Sequence, residues 1–537
     1  MTQSTELDVA IVGAGFSGLY LLHKLRGMGL VARAFEAGSD VGGTWYWNRY
    51  PGARVDIESQ EYSYSFSEEL QDEWQWSERY AAQPELLRYL GHVADRFDLR
   101  RDISFNTRVA SAHFNEGSGR WTLTTEKGDT ISARFCVMAT GCLSVPNEPD
   151  FPGQADFTGP TYQTGRWPHE GVDFTGQRVA VIGTGSSAIQ SIPQIARQAE
   201  HVTIFQRTPN YSVPAHNGPI DPAVVQAWNA SRAENRQLQR VSAGGFISSD
   251  ATELLSVEVS DDVRRDTYEQ RWARGGFAIL GAFADQMVDA AANAQAAEFT
   301  AAKIRERVKD PAVAEKLVPR GYPWGTKRLC VDIDYYETYN RPNVTLVDLR
   351  ETPLDRIMAT GVRTTGADYP VDAIVFAIGF DAMTGALSRI DIRGREGRPL
   401  RDEWAAGPRT YLGLMVAGFP NLFTVTGPGS PSVLSNMVVS IEQHVDWICD
   451  CIGYLGDRQI GVIEASPEAQ DNWVDHVNEV ADQTLYKQAN SWYLGANVPG
   501  KPRVFMPYAG GVGVYRELCD GIAARGYEGF VLQPAGV

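Results

Sequence analysis

Apolar residues near the start of the chain do not alternate with polar ones; they run together as LDVAIV, Leu7–Val12, and stop at a glycine turn. A short continuous apolar run bounded by a turn predicts a strand buried on both faces. A helical pattern follows to about Met28, then a second strand, Val31–Phe35, ending at Glu36, so a βαβ unit opens the chain. The same pattern recurs with a strand at Arg178–Ile182 and the next at His201–Phe205. Between the two units the sequence predicts a helix over Pro84–Phe97, an antiparallel hairpin from the alternating runs Thr107–His113 and Trp121–Thr125, and a buried strand at Phe135–Ala139. Gly42–Ser59, GGTWYWNRYPGARVDIES, lacks periodicity and reads as an ordered loop of the kind that lines sites. Pro146–Pro168 is rich in proline and glycine and reads as a linker. Residues from about Asp221 to Lys316 are rich in Ala, Glu, Arg and Gln and read as a helical insertion. Strands are expected again at Val344–Asp348, Ala373–Ala377 and Leu422–Thr426, and a helix from about Asn436. The fold class expected is α/β, with two Rossmann-like dinucleotide-binding domains and a helical insertion.

At 537 residues the chain calls for two or three domains. Its 43% hydrophobic and 21% charged residues are those of a soluble enzyme, and 52 glycines suit many tight βα turns. A net charge of −17 argues against nucleic acid or an anionic membrane as partner. Six cysteines without a CxxC pair or a zinc spacing read as reduced thiols of a cytoplasmic protein, and no metal is expected. No stretch reads as a membrane span or signal peptide.

Candidate chemistry begins at the two glycine turns. In GAGFSG, Gly13 permits the turn, Gly15 lets backbone approach a pyrophosphate, and Gly18 lets helix and strand pack closely. Glu36, at the end of the second strand, is placed to accept from a ribose hydroxyl. The second turn is GTGSSA, Gly183–Ala188, and the strand after it ends in Gln206-Arg207-Thr208 rather than an acid. An arginine there suits a 2′-phosphate, so this site is expected to prefer NADPH. One nicotinamide cofactor and one flavin is the economical pairing, with FAD at the first site. A disulfide acceptor on the chain itself would need a redox CxxC, which the sequence lacks.

Between the turns lies FTGPTYQTGRWP, Phe157–Pro168, which resembles the F-x-G-x-x-x-H-x-x-x-W-P fingerprint of the Baeyer–Villiger monooxygenases, with Gln163 in place of the histidine. Further segments across almost the whole chain are similar to the phenylacetone and cyclohexanone monooxygenase group: GGTWYWNRYPGARVDIES, GTGSSAIQ, FQRTP, YPWGTKRL, GPGSPSVLSNM and SWYLGANVPGKPRVF. The resemblance implies that NADPH and O2 convert a small-molecule ketone to an ester or lactone through a flavin peroxide and a Criegee adduct. It implies Arg328 as the cation that meets the developing oxyanion, positioned by Asp56. It places Ser17, Thr44, Trp45, Tyr46, Trp47, Asp56, Tyr62, Val109 and Met437 at the cofactors, together with Arg54, Thr184, Gly185, Ser186, Ser187 and Gln190. It also implies that Arg207, Thr208 and Lys327 form the 2′-phosphate clamp, that Trp492 stands on a loop that closes over nicotinamide cofactor and substrate, and that Pro431–Leu434 borders the substrate pocket. The implied domains are 1–145 with 385–537 for FAD, 146–210 with 322–384 for NADPH, and 211–321 as the insertion, in a monomer. Gln163 keeps a donor and an acceptor but cannot titrate near neutrality, and His169 stands at the wrong spacing to replace the histidine. Oxidation of nitrogen or sulfur, or an uncoupled NADPH oxidase or redox sensor, are the alternatives left open.

Overall fold

In the computed structural model, which describes residues 5–534, the first apolar run forms a strand over Thr5–Val12 whose side chains enter two different cores. Val9 and Ile11 share a cluster with Leu19, Leu22 and Phe135, whereas Leu7, Ala10 and Val12 share one with Phe35, Trp121 and Leu123. Burial on both faces is the reason the run is continuous. This strand pairs in parallel with Ala32–Phe35 on one side and Thr130–Met138 on the other. The helix Phe16–Gly27 connects the first two. The expected hairpin is present as Val109–Asn115 and Arg120–Thr125, and it joins the sheet through Thr130–Met138. Near the other end of the chain, Leu422–Thr424 returns to pair in parallel with Cys136–Met138.

The second sheet is wholly parallel, in the order Val344–Asp348, His201–Gln206, Arg178–Ile182, Ala373–Phe376, Thr161–Gln163. Its central strands again divide their side chains, with Val179 and Val181 in one core and Ala180 and Ile182 in another. Thr161–Gln163 corrects the reading of Pro146–Pro168 as a simple linker, because these three residues are the edge strand of this sheet, in register with Ile374–Phe376. Three residues at a sheet edge carry no detectable period, so composition dominated the expectation. The ordered loop 42–59 likewise holds a short helix, Thr44–Trp47. A three-stranded antiparallel sheet over Leu354–Met358, Gly361–Thr364 and Asp368–Pro370 was not expected from the sequence.

Two crossings join the sheets, and they run side by side. Asp381 N–H donates to the Val145 carbonyl at 2.8 Å, Asn147 N–H to Gly379 at 3.0 Å, and Pro146 bridges Phe380 in antiparallel sense. The insertion is helical over Pro222–Ala230, Arg232–Val241, Asp261–Arg274, Ala290–Arg307 and Pro311–Leu317. Four of these helices start at side-chain caps, from Asp221, Ser260, Asp289 and Asp310, which accept first-turn N–H groups. The insertion bridges both cores, with Tyr268, Phe277 and Phe283 in the cluster of the first sheet and Ala301, Ile304 and Leu317 in that of the second.

The first unit also docks directly on the helix of the second. Gly52 has φ +84°, and a Cβ there would lie 2.2 Å from the Gln190 carbonyl oxygen, in the helix Ser186–Gln198. Gly52→Ala is therefore expected to destabilise the fold by about 1–3 kcal/mol through strain and clash, read as a lower melting temperature. An unchanged melting temperature would contradict this docking.

Candidate functional site

Each glycine turn leads straight into a helix whose N-cap is glycine, Gly15 or Gly185, with no side chain bonded to the first-turn amides and no acidic residue in that turn. Such ends present N–H donors and the positive end of the helix dipole. At the first, a Cβ on Gly18 would lie 2.1 Å from the Gly13 carbonyl oxygen, so only glycine allows the helix this close to the strand. Ser17 lies buried in the first turn. Glu36 is buried, with one carboxylate oxygen accepting from Ala14 N–H at 2.8 Å and the other from Gly38 N–H at 2.7 Å. A carboxylate has about four acceptor positions, so it retains capacity for a hydroxyl. Gly15 faces Gly43, which brings the helix Thr44–Trp47 beside the turn. There Trp45 and Tyr46 are buried, Trp47 packs edge-on to Tyr46, and Thr44 is exposed. Tyr62 stands edge-on to Phe16 and to Trp45. Val109 is buried at the start of the hairpin.

At the second turn, a Cβ on Gly185 would meet nothing within 4 Å, so the backbone is open on its outer side. Thr184 donates its hydroxyl to the Thr208 carbonyl at 3.0 Å, Ser187 lies 3.1 Å from the Thr164 hydroxyl, and Ser186 3.3 Å from Cys330 Sγ. Gln190 accepts from the Tyr50 hydroxyl at 2.9 Å and donates to the Arg54 carbonyl at 3.1 Å, which ties this helix to the loop of the first unit. The Arg54 guanidinium is engaged elsewhere, by Glu78 at 3.0 Å and the Tyr80 carbonyl at 3.1 Å. Arg207 is exposed just past its strand, and Lys327 sits over the Tyr322 ring at 4.7 Å. Burial, and then the charge of Arg207, push the Lys327 ammonium below its ordinary value. Among the described residues neither cation pairs with a carboxylate.

The two units meet at Arg328 and Asp56. Arg328 donates from Nε at 3.0 Å and from Nη2 at 2.7 Å to one oxygen of Asp56, and from Nη1 to the Val433 carbonyl at 2.9 Å. Its guanidinium carbon lies 5.0 Å from the centre of the Phe277 ring. Burial opposes the charge, but Asp56, helped by Tyr493, holds the guanidinium above its ordinary value, so it stays a cation. Both partners keep some exposure, 22% and 30% of their side chains. Met437 begins the helix Met437–Asp457 and packs in one cluster with Val433, Leu434, Trp492 and Tyr493. Trp492 is on a single 3-10 turn, 4.4 Å from Tyr493 between ring centres. Phe277, Tyr493 and the Val433 carbonyl were missed as partners of Arg328 in the sequence; 431–434 was legible only as a pocket border, and no spacing marks Phe277.

Gln163 lies away from this junction, at the end of its edge strand. Its side-chain amide donates to the Asn147 carbonyl, on the paired crossings. His169 instead packs edge-on to Tyr46 at 5.1 Å.

A family profile described as pyridine nucleotide-disulphide oxidoreductase matches residues 10–251. The chain is 45% identical to the acetone monooxygenase (methyl acetate-forming) of Gordonia sp. (strain TY-5), over 98% of this chain and 99% of that one. It is 43% identical to a Baeyer–Villiger monooxygenase of Pseudooceanicola batsensis, over 99% and 97%. The chain belongs to the Baeyer–Villiger monooxygenase family. A phenazine N-monooxygenase of Lysobacter antibioticus is also similar, 42% identical over 98% and 97%. Among solved structures, an oxidized steroid monooxygenase bound to NADP superposes with a TM-score of 0.94 at 56% identity, covering 98% of this chain and 100% of that one. OTEMO in complex with FAD and NADP superposes equally well, TM-score 0.94 at 38% identity, covering 99% and 100%. All six cysteines are free and buried.

Proposed function

We infer that this protein is an NADPH-dependent flavoprotein that inserts oxygen beside a ketone carbonyl, giving an ester or lactone. The observation that carries the reading is the Arg328–Asp56 pair, a fixed cation where the two nucleotide cradles converge. FAD fits the first cradle, through the Gly13–Gly18 turn, Glu36, Thr44 and the aromatic residues 45–47 and 62. NADPH fits the second, through the open Gly185 backbone and the Arg207–Lys327 pair with Thr208. When bound, the two cofactors supply the hydride and the flavin centre that activates dioxygen.

The residues of the chain do the rest by position and charge. An arginine has five N–H donors, and Asp56 and Val433 engage three of them. The two that remain, on Nη1 and Nη2, are available to a ketone oxygen as negative charge builds there. Asp56 removes the fork's freedom to rotate and keeps it charged, so no reorganisation is needed when the charge appears. Phe277, 5.0 Å from the guanidinium carbon, and Tyr493 near it restrict water, which strengthens the same interaction. Trp492 as a closing lid belongs to this reading, as does the division into an FAD domain (1–145, 385–537), an NADPH domain (146–210, 322–384) and an insertion (211–321). Among the described residues no helix is long and apolar enough to cross a membrane. A cytoplasmic monomer without nucleic-acid partners is the reading that the buried free thiols and the charge of −17 support.

The similarity to a phenazine N-monooxygenase favours a second reading, oxidation of nitrogen. A nucleophilic nitrogen or sulfur develops no carbonyl oxyanion, so it has less need of Arg328. Both readings are decided by giving the holoenzyme ketones and a sulfide and detecting products by mass. Arg328→Ala is expected to keep flavin reduction by NADPH while ester formation falls about 10²–10³-fold, with the sulfide affected less. Ester formation at the unaltered rate would overturn the role of Arg328. At the other end of the site, Arg207→Ala is expected to raise KM for NADPH by about tenfold or more through loss of a charge-assisted contact, with KM for NADH unchanged. Equal effects on both would contradict the clamp.

A further inference from the structure

Next to Tyr62 the chain carries a carboxylate that the reaction as described does not use. Glu61 is only 2% exposed. One of its oxygens accepts from Ile247 N–H at 2.7 Å and from the Gln239 side chain at 3.4 Å, and the other accepts from Ser248 N–H at 3.0 Å. Its own carbonyl accepts from the Asn436 side chain at 2.8 Å, immediately before Met437, and Asn436 N–H donates to the Gly244 carbonyl at 2.8 Å. The inserted segment 244–248 is thus pinned at both ends, and between the pins stands Phe246. Its ring lies 5.7 Å from that of Phe277, the ring beneath Arg328.

We propose that Glu61 is a positioning residue for ketone oxidation, its carboxylate clamping segment 244–248 so that Phe246 and Phe277 form a fixed substrate wall beside Arg328. This rests on the ketone reading and on the role of Arg328 given above. No cation makes an ion pair with Glu61 among the described residues. The charged and titratable groups facing it are Glu58 on its own loop, Arg79 and Tyr80 on the neighbouring segment, and Arg236 on the inserted helix Arg232–Val241. Arg79 is paired with Glu58 at 2.7 Å, and Arg236 donates to Ser63, Gln71, Gln239 and, at 3.5 Å, the Glu61 main-chain carbonyl, so neither makes an ion pair with the Glu61 carboxylate. The acceptors therefore serve the two amides of the insertion, and a carboxylate offers both oxygens where a carboxylic acid gives up part of one.

Burial above all pushes the Glu61 carboxyl up to about 7, opposed by the Ile247 amide, reinforced by Glu58 and opposed again by Ser248. Because the folded value lies above the unfolded one, the stability contributed by the bound proton is present in acid and is lost as pH rises through about 7. The clamp has the opposite sense, being complete when the carboxylate is ionised and loosened on protonation.

The test uses the unaltered holoenzyme and Glu61→Gln, with KM and kcat for a ketone followed from about pH 6 to 8.5, beside the rate of flavin reduction by NADPH. In the unaltered protein KM for the ketone should rise several-fold as pH falls through about 7, with flavin reduction following no such step. In Glu61→Gln, KM should be raised about tenfold at the upper pH through loss of a charge-assisted acceptor and should lose the step. A ketone KM without a step near neutrality in the unaltered protein, or the same step surviving in Glu61→Gln, would overturn the proposal. Should the variant fail to fold, the profile of the unaltered protein still decides. Absence of ester at every pH would instead overturn the ketone reading.

Discussion

Asp56 and Arg328 are 272 residues apart in the chain and share an ion pair of 2.7 Å. One comes from the loop that follows the first glycine turn, the other from the segment where the chain leaves the insertion. The pair can form only if both units and the insertion are in place. Its geometry is costly to break from either side, because removing one partner leaves the other charged and poorly solvated. The Val433 carbonyl and the Phe277 ring complete the enclosure, so the loop 431–434 and the insertion also take their places around this guanidinium.

Much of the remaining architecture serves to bring the two cradles to that point. Gln190 spans from the second fingerprint helix to Tyr50 and Arg54, and Gly52 allows backbone contact at the same seam. The crossings are not loose tethers, since they pair with each other over 145–147 and 379–381. Gln163 braces that ribbon through the Asn147 carbonyl, with Asn147 in turn donating to the Ile378 carbonyl at 3.0 Å. A neutral donor suffices for this contact, so glutamine can stand in the fingerprint without touching the Arg328–Asp56 pair.

The doubly buried runs at Leu7–Val12 and Arg178–Ile182 were legible because both of their faces meet apolar cores. The inserted helices were legible through composition. Thr161–Gln163 and the sheet over Leu354–Pro370 were not, being short and edge-like, with Asp355, Arg356 and Arg363 on their surface. Glu36 and Arg207 could be read from spacing, since each ends a strand that follows its turn. Arg328 and Asp56 could be read only through resemblance, because nothing in a separation of 272 residues announces a contact. Phe277, Tyr493 and Glu61 were not singled out, since what marks them is what the fold sets beside them.

The central claim is that Asp56 acts through Arg328. A double-mutant cycle with Asp56→Asn and Arg328→Ala, read on kcat/KM for ester formation, tests it directly. The account predicts that adding Asp56→Asn to Arg328→Ala costs little more, a coupling of about 1–3 kcal/mol between the two sites. Losses that simply add would mean the two residues act independently, and would contradict it.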